Sequence, residues 1–292
     1  MRASVADVEP RRFDACLSAE QARWQNQLGW DLSTEWQPLV PAWRAGHVRV
    51  WCRASGPSAR DSAWAFAVPT PSGLQIGAVV APDADRYRTL VHDLVQESAS
   101  VLAFVREQRE TDAEAWRAAG CVVDRAVYLV APAEGDALAL GRALQPTSDR
   151  APMTRLLRDA YGPPTYPRPF APDHTWPQWD SYVEGLLTRP GCGTLSTIGS
   201  VVCEDEDGLT GVGLVSIVGP SMAHLSQLAV APRVAGTGLG RQIVRAVRAR
   251  AAVMLQCAAV SLIVSTSNRR AARLYAREGF QETGAFLTAR RG

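Results

Sequence analysis

The stretch that decides the fold covers residues 224–240 and reads HLSQLAVAPRVAGTGLG. It begins with a short apolar run that Pro232 ends, and this pattern predicts a buried strand. Three glycines, spaced two residues apart, follow it. Glycines between a strand and a helix let backbone N–H groups close on a pyrophosphate, so the stretch predicts a phosphate-binding turn. The apolar strand residues are Leu225, Leu228 and Val230, and the glycines are Gly236, Gly238 and Gly240.

The residues after the glycines predict an amphipathic helix, then a second strand and a second helix. Residues 260–264 form a β-rich run, and residues 269–278 have helical spacing that Gly279 ends. Upstream, residues 200–203 and 210–218 flank an acidic turn and predict an antiparallel hairpin. The first helix is expected to bury Ile243, Val244, Val247, Ala251 and Met254, with Arg241, Arg245 and Arg248 on its opposite face.

The first half of the chain repeats this plan in a degenerate form. Residues 79–82 read VVAP and parallel AVAP at residues 229–232, and residues 87–95 supply an amphipathic helix. Further on, residues 113–121 parallel residues 272–280. We therefore expect two copies of one fold.

Domain boundaries follow from the repeat. The chain has 292 residues, which suits two domains at roughly 100–200 residues each. We place the first domain at residues 1–135 and the second at residues 150–292. Residues 131–152 contain prolines and glycines and are expected to form a linker or exchange segment.

The composition is that of an ordinary globular protein. Apolar residues make up 47% and charged residues 21%, and the formal net charge is +2. The 31 basic residues are all arginine and are spread along the chain, so neither nucleic-acid binding nor lysine chemistry is expected. No stretch approaches the roughly 18 apolar residues of a membrane span, and charge interrupts the N-terminal residues where a signal peptide is apolar. We expect a cytoplasmic protein acting on small molecules.

The cysteines do not suggest a metal site or a disulfide framework. They are widely spaced and form no C-x-x-C pair, so we expect reduced, mostly buried thiols and no bound metal. The six cysteines are Cys16, Cys52, Cys121, Cys192, Cys203 and Cys257.

Two motifs of the second half resemble those of the Gcn5-related N-acetyltransferase (GNAT) superfamily. The first is LAVAP at residues 228–232 with GxGxG at residues 236–240, and the second is NxxAxxLYxxxGF at residues 268–280. Dinucleotide-binding domains also have glycine loops, but they place an acidic residue about 20 positions on, where this chain offers arginine and apolar residues. The resemblance implies two tandem copies of a mixed α/β fold, each a mostly antiparallel twisted sheet flanked by helices. The tandem arrangement is similar to that of mycothiol synthase.

The resemblance also implies acetyl-CoA, or another acyl-CoA, as co-substrate. The glycine loop would bind its diphosphate, and the splayed strand before the loop would pair with its pantetheine amides and polarise its thioester carbonyl. The family commonly has arginine or glutamine where this chain has Ala235, so Arg233 or Arg241 is expected to compensate. The implied coenzyme-binding residues are Leu228, Ala229, Val230, Arg233, Gly236, Thr237, Gly238, Leu239, Gly240, Arg241 and Asn268.

Two residues are candidates for proton transfer. Tyr275 matches the position where many family members have a tyrosine as general acid, and a phenol can protonate a thiolate of lower pKa. His224 begins the splayed strand, and a neutral imidazole there could accept the amine proton directly or through water. With an ordinary histidine pKa of about 6.5, His224 would produce an acidic limb in the rate profile. A structural role for either residue is the alternative.

The acceptor site is expected in the segment between the first two helices of the second copy. Residues 161–176 collect prolines, which hold a loop in shape, and aromatic residues, which provide rigid apolar walls. A loop that only packs over the core is the alternative. The proposed acceptor-binding residues are Tyr166, Phe170, Trp176 and Asp173, the last to receive an ammonium group.

The first copy lacks the features that the resemblance attaches to activity. After Pro82 it has Asp83 and Asp85 and no glycine, and Trp116 stands where the second copy has Tyr275. We expect a non-catalytic copy that braces the second domain and helps to wall its acceptor site.

The residues and the resemblance together predict an N-acyltransferase that acts on the primary amine of a small molecule. Within enzymes, the alternatives are a protein N-terminus as acceptor or an acyl carrier protein as donor. From another class, the alternative is a non-enzymatic module that binds acyl-CoA and regulates a partner. No nucleic-acid or membrane partner is expected, and the acceptor, the acyl length and the oligomeric state stay open.

Overall fold

A computed structural model describes residues 10–53, 61–136, 140–188 and 193–292 of the chain. Cys192 lies outside the described residues, and the other five cysteines are free thiols. The helices are α1 (Pro10–Leu28), α2 (Ser33–Trp36), α3 (Leu39–Arg44), α4 (Ala84–Gln96), α5 (Asp112–Ala118), α6 (Pro146–Tyr161), α7 (Trp176–Thr188), α8 (Leu239–Val253) and α9 (Arg269–Arg277). The strands are β1 (Arg49–Arg53), β2 (Ala63–Thr70), β3 (Gly73–Val80), β4 (Val101–Arg106), β5 (Val122–Pro132), β6 (Thr194–Asp205), β7 (Gly208–Gly219), β8 (Met222–Val230), β9 (Ala259–Ser265) and β10 (Gln281–Arg291).

These strands form one sheet, which has ten strands within the described residues. Its order is β1-β2-β3-β4-β10-β5-β9-β8-β7-β6. β3 is parallel to β4 and β8 is parallel to β9, whereas the other neighbouring strands are antiparallel. The predicted mixed α/β class, with a mostly antiparallel sheet, is confirmed.

The two halves of the chain exchange their last strands. β10, from the second half, lies between β4 and β5, and β5, from the first half, pairs with β9. Each half-sheet is therefore completed by a strand of the other half, which leaves neither of the two inner edges exposed. The boundaries at residues 135 and 150 stay a prediction. The expected linker is shorter than residues 131–152, because β5 continues to Pro132 and α6 begins at Pro146.

The internal repeat is visible in the geometry of both halves. β3 pairs with β4 over three residues, Leu74 to Ile76, and β8 pairs with β9 over three, Met222 to His224. In each half, a helix connects the two parallel strands. The same strand, helix and strand unit therefore occurs twice, as the sequence repeat predicts.

Helix α8 forms between strands of the second half, and its apolar face is largely as predicted. Ile243, Val244, Val247 and Ala251 are buried in the core that α8 forms with the sheet. The prediction for Met254 is wrong, because the helix ends at Val253 and Met254 is 47% exposed.

Arg248 was expected on the solvent face of α8, and this is also wrong. Its guanidinium is buried and donates from Nε to the Pro132 carbonyl at 2.9 Å and from Nη1 to the Glu278 carbonyl at 3.1 Å. Nη2 donates to the Glu134 carboxylate at 2.6 Å. The strand exchange brings Pro132 to this helix, so Arg248 provides donors for backbone carbonyls where the two halves meet.

Candidate active site

The opening between β8 and β9 defines the centre of the site. The two strands pair only at Met222, Ala223 and His224 of β8, and within the described residues they separate beyond that point. The register against β7 shifts so that Ser226 is an extra residue, a β-bulge. A strand with one unpaired edge offers backbone donors and acceptors to a ligand. The splayed strand implied by the resemblance is present.

The glycine loop lies at the wide end of this opening. Gly236 and Gly238 have φ of +91° and +92°, and an added Cβ would meet no described atom within 4 Å at either residue. Gly238 is the N-cap of α8, and no side chain of the described residues caps the helix. The first amides of α8 are therefore free for an anion. A Cβ on Gly240 would lie 3.5 Å from the Val230 side chain, so α8 packs closely against the end of β8 at Gly240.

A cavity of about 1110 Å³ joins this loop to the strand opening. Most of the predicted coenzyme-binding residues line it, but Arg233 and Thr237 are not among its lining residues. Arg233 instead forms a bidentate ion pair with Asp205 at 2.5 and 2.6 Å, and the Thr237 hydroxyl donates to the Val234 carbonyl at 2.9 Å. The predicted residues on the cavity are Leu228, Ala229, Val230, Gly236, Gly238, Leu239, Gly240, Arg241 and Asn268.

Helix α9 supplies positive charge beside the glycine loop, which the sequence interpretation missed. Its N-cap is Asn268, whose side-chain oxygen accepts from the Ala271 amide at 3.1 Å. Its arginines recur at intervals that place them along one side of a helix, and this spacing is a signal that could have identified them. The exposed arginines of α9 that line the cavity are Arg269, Arg270, Arg273 and Arg277.

Tyr275 lies on the same helix and is also on the cavity wall. It is buried, and its ring packs edge-on against Phe280 at 5.7 Å. Burial, and secondarily the nearby Tyr161, raise the pKa of the Tyr275 phenol above its ordinary value. Its hydroxyl has no hydrogen-bond partner among the described residues. The phenol is therefore protonated at neutral pH and free to donate.

His224 lies at the vertex of the strand opening and lines the same cavity. Burial lowers the pKa of His224 to about 3, which argues against a limb of the rate profile near pH 6.5. Its Nδ1 lies 3.0 Å from the Ser261 hydroxyl, which donates to the Ala223 carbonyl. In the tautomer that leaves the Ser261 proton on the Ala223 carbonyl, Nδ1 donates to the Ser261 oxygen and Nε2 keeps a free lone pair.

The predicted acceptor residues divide into two groups. Tyr166 and Phe170 line the cavity. Asp173 and Trp176 are exposed and are not among the lining residues. Asp173 is bound by Arg290 and Gln178, and the Trp176 ring is covered by the Arg158 guanidinium at 5.3 Å. The structure thus brings only the first pair to the site.

Three polar side chains on the cavity wall form a hydrogen-bonded chain that joins β8 to helices α6 and α7. The sequence interpretation missed this chain. The Tyr161 hydroxyl donates to the Gln227 Oε1 at 2.6 Å, and Gln227 Nε2 donates to the Tyr182 hydroxyl at 2.5 Å. Arg168 is buried beside this chain, with its guanidinium within 6 Å of the rings of Tyr161 and Phe170. It donates to the backbone carbonyls of residues 162 and 171.

The first half of the chain contributes the opposite end of the cavity. Its lining residues include four aromatic side chains and two carboxylates, Glu35 and Asp124, and none of them was predicted individually. Their positions depend on the packing of α1 and α2 against the sheet of the second half, which local sequence does not report. These residues are Trp24, Trp30, Leu32, Glu35, Trp36, Gly77, Phe104, Asp124 and Ala126.

Two features are absent from the described residues. No described helix is long and apolar enough to span a membrane. Within the same residues, no cluster of three histidine, cysteine, aspartate or glutamate side chains could hold a metal ion.

Comparison with known proteins identifies relatives by family and by fold. Residues 150–280 match the acetyltransferase (GNAT) family. A GCN5-related N-acetyltransferase from Sphaerobacter thermophilus is 15% identical over 99% of this chain and 93% of that chain, with a TM-score of 0.55. A tandem GNAT protein from the clavulanic acid biosynthesis pathway is 13% identical over 83% and 82%, with a TM-score of 0.55.

A Drosophila protein is similar in fold, at 13% identity over 98% of this chain and 97% of that chain and a TM-score of 0.59. At these identities the similarity concerns the fold alone. No curated protein matches the chain at a significant level.

Proposed function

Since residues 150–280 form a domain of the acetyltransferase (GNAT) family, we propose that this protein transfers an acetyl or other acyl group from coenzyme A to the primary amine of a small molecule. The observation that carries the proposal is one continuous cavity. It joins an uncapped glycine turn, an opened strand pair and two side chains suited to proton transfer, Tyr275 and His224. The catalytic domain is residues 150–292.

Acyl-CoA fits the residues around the glycine loop. Gly236 and Gly238 leave open space where a side chain would block a diphosphate, and the free amides and dipole of α8 favour its charge. The α9 arginines suit further phosphate charge. Arg241, in the first turn of α8, lines the cavity, whereas Arg233 does not; the Arg241 Nε also donates to the Glu278 carboxylate. The bound group supplies a thioester, which is an acyl donor with a thiolate leaving group.

Acyl transfer moves one proton from nitrogen and one to sulfur. The amine nitrogen bonds to the carbonyl carbon as the carbon–sulfur bond breaks, so the amine loses a proton and the thiolate gains one. We assign the second proton to the Tyr275 hydroxyl, and the phenolate left behind takes a proton back from water before the next turnover. Burial that raises the pKa of Tyr275 disfavours any anion in the same place, so a thiolate formed there takes the proton readily.

His224 receives the amine in this proposal. Its free Nε2 accepts a hydrogen bond from the neutral amine and orients the nitrogen lone pair toward the carbonyl. An imidazole with a pKa of about 3 is a weak base, because proton acceptance is most effective near the operating pH. The proton therefore passes on to water, and His224 acts mainly by position.

Substitution of His224 separates positioning from base catalysis. We expect His224→Ala to lower kcat/KM roughly tenfold, the effect of one lost hydrogen bond, and His224→Gln to recover most of the loss because it keeps an acceptor. The pH profile between 5 and 8 should have the same shape in all three proteins. An acidic limb near pH 6.5 in the wild type that His224→Ala abolishes would show that His224 is the titrating base.

The first half is proposed to be non-catalytic, within residues 1–135. Asp83 caps α4 and accepts from the Arg86 amide at 2.9 Å, so the helix end that matches α8 is already occupied by a carboxylate. Trp116, in place of Tyr275, donates to the Tyr87 hydroxyl at 3.1 Å inside the core. A diphosphate at the N-terminus of α4 would therefore meet the negative charge of Asp83.

We therefore expect one coenzyme A site per chain. Titration calorimetry on the full chain should give a stoichiometry of one, because only α8 has an uncapped glycine N-terminus of the two matching helices. Asp83→Asn, which removes the capping charge, should leave this stoichiometry unchanged. Two equivalent sites in the wild type would contradict the non-catalytic assignment.

The experiment that tests the function is a panel of acyl-CoA donors against amine metabolites, with release of the free thiol as readout. Thiol release that depends on both an amine and Tyr275 supports the enzyme. Tight acyl-CoA binding with no release for any amine, peptide N-terminus or carrier-protein donor would support the binding-module alternative instead.

A further inference from the structure

An aromatic wall extends from His224 into the first half of the chain. The Trp30 ring lies edge-on to the His224 ring, with centroids 4.8 Å apart. Trp24 follows at 5.4 Å from Trp30, and Trp36 at 6.3 Å from Trp24. All four side chains line the cavity. An acceptor whose amine lies at His224 can therefore place its remaining atoms along three indole rings.

A carboxylate stands at the far end of this wall. Glu35 precedes Trp36 on α2 and lines the same cavity. Its Oε1 accepts from the Gly193 amide at 2.9 Å, whereas its Oε2 is buried and has no hydrogen-bond partner among the described residues. Burial is the main cause that raises the pKa of Glu35. A buried carboxylate oxygen without a donor is costly, and a ligand cation would supply the donor.

The wall is held in place by one hydrogen bond to the second half and by two within the first half. The Asp31 amide donates to the Val218 carbonyl at 2.6 Å, and the Tyr128 hydroxyl donates to the Leu28 carbonyl at 2.8 Å. The Trp24 indole N–H donates to the buried Glu20 carboxylate at 3.1 Å. These contacts fix the rings before any ligand binds, so little conformational entropy is lost on binding.

Charge differs between the two ends of the cavity. The glycine-loop end carries Arg241 and the arginines of α9, and the aromatic end carries Glu35. Asp124 also lines the cavity, but its carboxylate already accepts from the Ser267 hydroxyl at 2.8 Å. The Arg168 guanidinium also lines the cavity, but aromatic rings and two backbone carbonyls surround it. Indole faces and a carboxylate together are the groups that bind organic cations.

We propose that the acceptor carries a second cationic group at the end of an apolar spacer, and that Glu35 with the indole rings of Trp24, Trp30 and Trp36 binds this second group. This inference rests on the proposed function, since it takes His224 as the place of the reacting amine. It assigns the first half of the chain a role in choosing the acceptor: a diamine is preferred to a monoamine of equal length.

The test compares α,ω-diamines of increasing length with the matching monoamines, at saturating acetyl-CoA. For the best length, KM for the diamine should be roughly tenfold or more below that of the monoamine. Glu35→Gln keeps an oxygen for the Gly193 amide and removes the charge. It should raise KM for the diamine roughly tenfold, with KM for the monoamine and for acetyl-CoA unchanged. Calorimetry of the diamine with the coenzyme A-bound protein should show the same loss of affinity.

Glu114→Gln is the matched control, because Glu114 is an exposed carboxylate of the first half and is not among the cavity-lining residues. This control should leave KM unchanged for both the diamine and the monoamine. Equal KM values for diamine and monoamine, or an equal effect of Glu35→Gln on both, would overturn the inference while thiol release upheld the proposed function. Glu35-dependent diamine binding without thiol release would uphold the cation site and contradict the proposed function.

Discussion

Tyr275→Phe should lower kcat by roughly 10²–10⁴-fold, the usual contribution of a positioned general acid, with little change in the Kd of coenzyme A. The substitution removes one hydroxyl and keeps the ring that packs against Phe280. Since that hydroxyl has no partner among the described residues, its loss breaks no internal hydrogen bond. Turnover by thiol release, coenzyme affinity by calorimetry and the melting temperature should be measured on the same preparation.

Tyr87→Phe is the matched control for this substitution. The Tyr87 hydroxyl accepts from the Trp116 indole in the core of the first half, so its removal should cost about 1 kcal/mol of stability and leave kcat unchanged. Tyr275→Phe should therefore lower turnover without lowering stability, and Tyr87→Phe should lower stability without lowering turnover. A folded Tyr275→Phe protein with near wild-type kcat would show that the thiolate leaves without this phenol.

Local sequence patterns are sufficient to predict the elements that form the coenzyme side of the site. Pro232 follows the end of β8, Gly238 is the N-cap of α8, and Asn268 caps α9. Each of these depends on the backbone preferences of a few adjacent residues. The loop, its two helices and the place of Tyr275 on the second of them are therefore predictable from the amino-acid sequence.

The exchange of β5 and β10 could not be predicted in this way. The strand beside β4 shows the same apolar alternation whether it is β5 of the same half or β10 of the other half, because the hydrogen bonds are made by the backbone. The choice depends on how the whole sheet closes. The wall of Trp24, Trp30 and Trp36 depends on this closure, since β10 carries Phe286, which packs against Trp24 at 5.3 Å.

Burial also changed the chemistry expected of single residues. A histidine at a strand end is solvent-exposed in many proteins, but His224 is buried, with Trp30 and Tyr128 from the first half packed against its ring. Asp173 was expected to receive an ammonium group, yet Arg290 of the exchanged β10 binds it. In both cases the decisive neighbour is distant in sequence.

Gly238→Asp should raise the Kd of coenzyme A by roughly a hundredfold, equivalent to about 2.8 kcal/mol. The substitution places a negative charge at the N-cap of α8, where the diphosphate is proposed to bind, and two like charges about 4 Å apart repel by a few kcal/mol near a protein surface. The stability of the folded protein should fall much less than the affinity for coenzyme A. An aspartate at an N-cap stabilises a helix, which offsets the strain of a side chain at φ +92°, and no described atom lies within 4 Å of an added Cβ.

Gly238→Asn is the control that separates charge from shape. Asparagine has nearly the same size as aspartate, caps helices equally well and tolerates positive φ, but it is neutral. It should therefore weaken coenzyme A binding much less than Gly238→Asp, and raising the ionic strength should narrow the difference between the two variants. Both should melt close to the wild type. If the two variants bound coenzyme A equally, repulsion of the diphosphate could not be the cause. If Gly238→Asp bound coenzyme A within a few-fold of the wild type, the diphosphate would have to lie away from the N-terminus of α8.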